Sequence, residues 1–126
     1  MIDVKDVLIF HEMIIEQFGG TSGVREMNSL ESAVNRPYAT FDGKDLYPTI
    51  IDKAGAIFES LIINHPFIDG NKRTAYVTML IMLGQEGIDI VCSENDKYNF
   101  VISAAKGETN IEKIKDWLTL NTKKTK

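Results

Sequence analysis

The run His65-Pro66-Phe67-Ile68-Asp69-Gly70-Asn71-Lys72-Arg73 sets an imidazole, a carboxylate, a glycine, a carboxamide and two cations within nine positions. Each group suits one part of a phosphate-handling reaction. An imidazole with an ordinary pKa of ~6.5 can take a proton near neutrality, so His65 is the candidate general base. Asp69 is the candidate ligand for Mg²⁺, which prefers oxygen donors and shares them with substrate phosphates. Gly70 reaches backbone angles closed to other residues and lets a ligand approach closely. It directly precedes an expected helix N-terminus, where free N–H groups and the helix dipole favour an anion. Gly70, Asn71, Lys72 and Arg73 therefore form the candidate phosphate cradle.

Lys72 and Arg73 fall in the first turn of that helix, where cations oppose the dipole. Two of them together make sense when a polyanion lies between them and the helix end, and a broken local rule points to function. Taken singly, each residue has a plainer reading. Asp69-Gly70 alone is a turn, His65 before Pro66 a satisfied boundary histidine, Arg73 a surface residue. The functional reading rests on their co-occurrence.

Long apolar stretches flank the loop, Ile50 to Ile63 before it and Ala75 to Leu83 after it. Helical periodicity dominates the rest. Val4, Val7, Leu8, His11, Ile14, Ile15 and Phe18 keep a three-and-four spacing that predicts an amphipathic helix, ended by Gly19-Gly20. His11 lies on its apolar face and reads as structural. A short helix is expected from Ser29 to Asn35, stopping before Pro37. Pro48 is expected to open the next helix at its first turn, running to about Asn64. The helix after the loop, Asn71 to Gln85, is apolar nearly all round and so buried on most sides. Ser93 caps a helix from Glu94 to Lys106, and Thr109 with Glu112 has the pattern of a capping box for a last helix reaching Leu120. Between Tyr38 and Tyr47, Asp42-Gly43 flanked by aromatic and β-branched residues predicts a hairpin.

A chain of 126 residues fits one domain, residues 1–126, with one core. The net charge of -4 supplies no broad basic field, so no nucleic-acid partner is expected. No signal peptide is visible, and no apolar run approaches the ~20 residues of a membrane span. Cys92 is alone, which excludes an internal disulfide and a thiolate cluster. It has no activating neighbour in sequence and reads as inert, and a cytoplasmic setting is the simplest. The basic tail Lys123-Lys124-Thr125-Lys126 reads as a frayed, solvated terminus.

The nine-residue run resembles the signature of the Fic/Doc family, His-x-Phe-x-Asp/Glu-Gly-Asn-Gly-Arg-x-x-Arg in the Fic branch. Lys72 stands at the second glycine and Tyr76 at the final arginine. Asn71-Lys72-Arg73-Thr74 is the variant typical of the death-on-curing (Doc) branch. Gly19-Gly20, Gly23-Val24-Arg25 and Leu30-Glu31-Ser32-Ala33 also look Doc-like, so the resemblance covers most of the chain.

The resemblance implies a compact all-α domain of about six helices with a small β-hairpin flap. Doc toxins transfer the γ-phosphate of ATP to a threonine of elongation factor Tu, with Mg²⁺, and are restrained by an antitoxin whose segment folds on binding. His65 takes the role of base, and Asp69 positions Mg²⁺. Gly70, Asn71, Lys72 and Arg73 hold phosphates, and Phe67 packs inward to anchor the loop. Thr40, Phe41 and Leu46 are the candidates for a flap edge that docks the target segment as an added strand. For Phe41, packing over the core is an equal alternative. Lysine for glycine and the loss of a bidentate arginine favour kinase chemistry over the AMP transfer of the Fic branch. Gly70, where some Doc proteins carry alanine, keeps donor orientation open. A non-catalytic binding module on the same fold is the third alternative. Ser22 to Glu26 has the spacing of an inhibitory Fic motif, but Met27 replaces its last residue, and the match reads as chance.

Overall fold

In the computed structural model, which describes residues 1–125, Asp3 and Asp6 cap each other across the first turn of α1 (Val4–Phe18). Val7, His11 and Ile14 form its buried stripe, as the spacing requires. Gly19, at φ 83, ends it. Helix α2 (Met27–Asn35) starts two residues earlier than Ser29, because the Glu26 carboxylate accepts the N–H of Asn28 and serves as the cap. That carboxylate, and the non-helical backbone before it, agree with a chance inhibitory match at Ser22 to Glu26. A single 3-10 turn (Arg36–Tyr38) leads into the hairpin of β1 (Thr40–Phe41) and β2 (Lys44–Asp45). Asp42 and Gly43 take φ values of 53 and 77, the left-handed pair that a two-residue hairpin turn demands.

Helix α3 (Ile50–Asn64) begins after Thr49, not at Pro48. Thr49 and Asp52 form a reciprocal capping box, and a side-chain cap satisfies the first turn better than a proline placed inside it. Helix α4 (Asn71–Gly84) packs against α3 along the centre of the molecule. Around this pair lie α1, α2, α5 (Glu94–Ala105) and α6 (Ile111–Leu120). The cap of α6 is Asn110, not Thr109, its side chain accepting the N–H of Lys113. Stacked rings of Phe58, Phe100 and Trp117 join α3, α5 and α6, with centroids 4.9 and 3.9 Å apart. Gly55 on α3 lets α6 approach, since a Cβ there would sit 3.2 Å from Ile114.

The expected frayed tail is instead a strand. β4 (Thr122–Lys124) pairs antiparallel with β3 (Ile88–Ile90) in the register Ile88 to Lys124 and Ile90 to Thr122. Backbone pairing needs no apolar side chain on a two-stranded ribbon, so the lysines gave no signal of it. Lys126, part of that expectation, lies outside the described residues. Among the described residues the result is an all-α core of six helices with two small antiparallel ribbons. Among the described residues no helix is long and apolar enough to cross a membrane.

Candidate functional site

The loop between α3 and α4 is held from both sides. His65 ends α3 in the left-handed region, at φ 47 and ψ 57, an uncommon conformation for a residue with a side chain. Arg25 donates from Nε and one terminal nitrogen to the His65 carbonyl, and from that terminal nitrogen to Asn64 as well. The Pro66 carbonyl accepts the N–H groups of Arg25 and Glu26, and Ile68 donates to Gly23. Val24 and Phe67 thus face each other as an antiparallel bridge.

Phe67 packs inward as expected, 1% exposed. His11 stacks on it and donates from Nε2 to the Asp69 carbonyl at 2.8 Å. A carbonyl only accepts, so the proton of His11 in this contact sits on Nε2. His11 is structural, as its place on the apolar face implied, and its task is to brace this loop.

Asn71 is committed differently from the expectation of a phosphate ligand. Its Oδ1 accepts from Phe67 N–H and its Nδ2 donates to the Phe67 carbonyl, each at 2.9 Å. The carboxamide closes the loop, and what Asn71 offers a ligand is its backbone N–H at the start of α4. Gly70, at φ 77, is the cap residue and has no side chain to compete with an anion there. A Cβ at this position would lie 3.2 Å from the Ile15 side chain, a tight contact that adds to the preference for glycine.

A cleft of about 700 Å³ opens over the start of α4. One end holds Asp69, Gly70, Asn71, Lys72 and Arg73, while Tyr76, Val77, Leu80, Val101 and Ile102 make a mostly apolar wall. This volume lies in the range of small-molecule sites. Lys72 and Arg73 are exposed and, among the described residues, form no ion pair with a carboxylate. The Arg73 guanidinium lies 4.4 Å over the Phe18 ring, a cation–π contact from the end of α1. Tyr76, at the position of the Fic arginine, is pushed up to about 12, mainly by burial and then by Cys92 and Glu94. It stays neutral at physiological pH and adds no charge to the cleft. Glu94, Lys97 and Tyr98 on α5 complete the wall, Lys97 bridging to Glu94 at 3.2 Å.

The Asp69 carboxylate accepts the N–H of Gly70 at 2.9 Å and that of Thr21 at 3.2 Å. These bonds aim it and leave further lone pairs on both oxygens. Among the described residues no cluster of three metal-binding side chains exists. One carboxylate beside a phosphate cradle nevertheless fits Mg²⁺, which is commonly held by one or two carboxylates plus substrate phosphates and water.

The structure therefore brings Asp69, Gly70, Asn71, Lys72 and Arg73 to one cleft. His65 is exposed and sits at the other end of the loop, outside the residues that line the cleft. Thr40, Phe41 and Leu46 are exposed on the hairpin, Phe41 by 74%, so Phe41 is not packed over the core. Arg36 donates to the Tyr47 hydroxyl, and Lys53 to the Tyr47 carbonyl, tying the hairpin base to α3. Sequence reading gave no role to Arg25, Phe18, Glu94, Lys97 or Tyr98. Arg25 lies in a stretch marked as Doc-like, but nothing in the sequence pairs it with a carbonyl forty positions on.

Residues 1–83, about two thirds of the chain, match the family described as Fic/DOC. The chain belongs to the Fic/DOC family. Its relatives in that family include the protein named Toxin Doc of Mycolicibacterium smegmatis, 42% identical over 89 residues. That alignment covers 71% of this chain and 66% of the relative, so the chain spans just under two thirds of that protein's length. A second relative, named Protein kinase doc, of Escherichia phage P1, is 23% identical over 117 residues, covering 93% of this chain and 91% of the relative. Both names fall on the Doc side of the Fic/DOC family, as the Lys72 and Tyr76 departures imply.

Proposed function

We propose that this chain is a Doc-type toxin that transfers the γ-phosphate of ATP to a hydroxyl of a protein target. The observation that carries the reading is the exposed pair Lys72 and Arg73 at the N-terminus of α4, where Gly70 supplies no side-chain cap, opening on a nucleotide-sized cleft. Free N–H groups and two cations without carboxylate partners among the described residues suit a polyanion. The names of the two relatives, a toxin and a protein kinase, support the same reading.

In this mechanism the phosphates lie on the backbone N–H groups after Gly70, with Lys72 and Arg73 neutralising charge on the transferring group. Asp69 would hold Mg²⁺, which when bound offsets phosphate charge and orients the donor. His65 takes the proton of the target hydroxyl, whose oxygen attacks the γ-phosphorus. The bond from that phosphorus to the bridging oxygen breaks, and ADP leaves with the electron pair. A base for a protein hydroxyl need not line the nucleotide cleft, so the place of His65 outside it is compatible with this role. Among the described residues the β1–β2 ribbon pairs with no other strand, so its edges, with Thr40, Phe41 and Leu46, are candidates to take an added strand of the target. The candidate target is elongation factor Tu, and the candidate restraint is an antitoxin segment that folds on the toxin.

AMP transfer is the alternative that Gly70 leaves open; its φ of 77 favours glycine whichever donor pose is used. Intact-protein mass spectrometry of elongation factor Tu, after incubation with the chain, Mg²⁺ and ATP, tests the proposal. The expected result is one added phosphate, absent with His65→Ala. One added adenylate would replace the kinase reading with AMP transfer. An unmodified factor would overturn this choice of target.

A further inference from the structure

His65 occupies a conformation that its own sequence does not favour. A residue with a Cβ in the left-handed region needs surroundings that hold it there. Three observations locate the holder. Helix α3 ends at His65, where the last carbonyls lack intrahelical partners and the dipole is negative. The Arg25 fork reaches two of those carbonyls, Asn64 at 2.9 Å and His65 through two nitrogens, one at 2.8 Å. The Arg25 backbone is itself fixed, its N–H donating to Pro66 at 2.7 Å. A planar guanidinium with donors in a fixed fork can meet adjacent carbonyls together, and a lysine ammonium cannot reproduce that geometry.

We infer that Arg25 is a positioning residue for His65: it locks the left-handed turn at the end of α3 and so sets the direction in which the imidazole leaves the backbone. The inference deepens the proposed function and rests on the reading of His65 as base. Arg25 is not among the residues that line the cleft, and its side-chain hydrogen bonds go to Asn64 and His65, so its loss is expected to act on proton removal and not on nucleotide binding. A misplaced reacting group costs up to roughly 100-fold in rate, which sets the scale of the expected effect.

The chain has two histidines, so its imidazole carbon–proton spectrum holds two Cε1–H signals, and His65→Ala assigns them. In Arg25→Ala the His65 signal is expected to shift, while the His11 signal stays in place and reports an intact loop. Arg25→Lys retains the charge and is expected to leave the His65 signal displaced in the same direction. In the transfer assay, kcat is expected to fall by roughly 10- to 100-fold in both variants with the KM for ATP unchanged. Added guanidinium is expected to recover part of the loss in Arg25→Ala. An unmoved His65 signal in both variants would overturn the inference, whether or not the wild-type chain transfers phosphate. A rise in KM for ATP with kcat intact would also overturn it. If Arg25→Ala fails to fold, Arg25→Lys decides by the same two readouts.

Discussion

The Phe67 ring lies flat against the His11 imidazole, with centroids 3.8 Å apart and planes 7° from parallel. Both residues are buried, at 1% and 2% exposure, and both reach the loop between α3 and α4 through backbone: Phe67 belongs to it, and His11 donates to the Asp69 carbonyl. The pair converts core packing into loop position. Phe67→Ala is expected to cost about 3–5 kcal/mol, read as a lower urea midpoint at constant m. His11→Ala leaves the Asp69 carbonyl unpaired and is expected to cost about 1–3 kcal/mol. The double variant is expected to fall short of the sum by about 0.5–1.5 kcal/mol, the coupling of stacked rings. Simple additivity would mean that the two rings act independently.

Gly20 sits at φ 119, and a Cβ there would lie 2.7 Å from Asp69 Oδ2. The N–H groups of Thr21 and Gly70 both donate to that carboxylate, so moving it strains these bonds. Gly20→Ala is expected to destabilise by about 1–3 kcal/mol and to weaken Mg²⁺–ATP binding measured by calorimetry. Gly19→Ala is the control. Gly19 also has positive φ, at 83, but a Cβ there meets nothing within 4 Å. Equal binding losses in the two variants would trace the effect to backbone strain and not to Asp69.

Acid stability depends on Asp52. Burial works to raise its pKa, but the bond from Lys115 at 2.8 Å and those from Thr49 outweigh it, so the carboxyl sits below its ordinary 3.8. A depressed folded-state value contributes stability above the unfolded-state pKa, lost as pH falls through the folded-state value. Stability is therefore expected to decline from about pH 4 downward, in the ordinary carboxylate range and below it. Asp52→Asn is expected to be less stable at neutral pH and to show a shallower acid decline. Parallel acid curves for the two proteins would show that other carboxyls carry the effect.

Phe41 is 74% exposed at the tip of the flap, with no packing role to lose. Phe41→Ser is expected to change stability by no more than about 0.5 kcal/mol. If the flap docks the target, the same change lowers target modification and leaves Mg²⁺–ATP affinity unaltered. Undiminished modification would remove Phe41 from the docking surface.

Local sequence determined much of this molecule. Apolar spacing marked the helices, Asp42-Gly43 marked the hairpin turn, and nine residues marked the loop that opens α4. These signals are legible because they act over a few positions, through helix period, turn angles and caps. Small errors at Pro48, Thr109 and Ser29 arose where a neighbouring side chain made the better cap. Only the tertiary structure decided what lies far apart in sequence. It spent the Asn71 carboxamide on Phe67, placed Arg73 on Phe18, paired the tail with Ile88–Ile90 and set Arg25 on the His65 carbonyl. A backbone carbonyl is the same group in every residue, so sequence cannot name which one a side chain will find. Folding chooses it by bringing the two segments together.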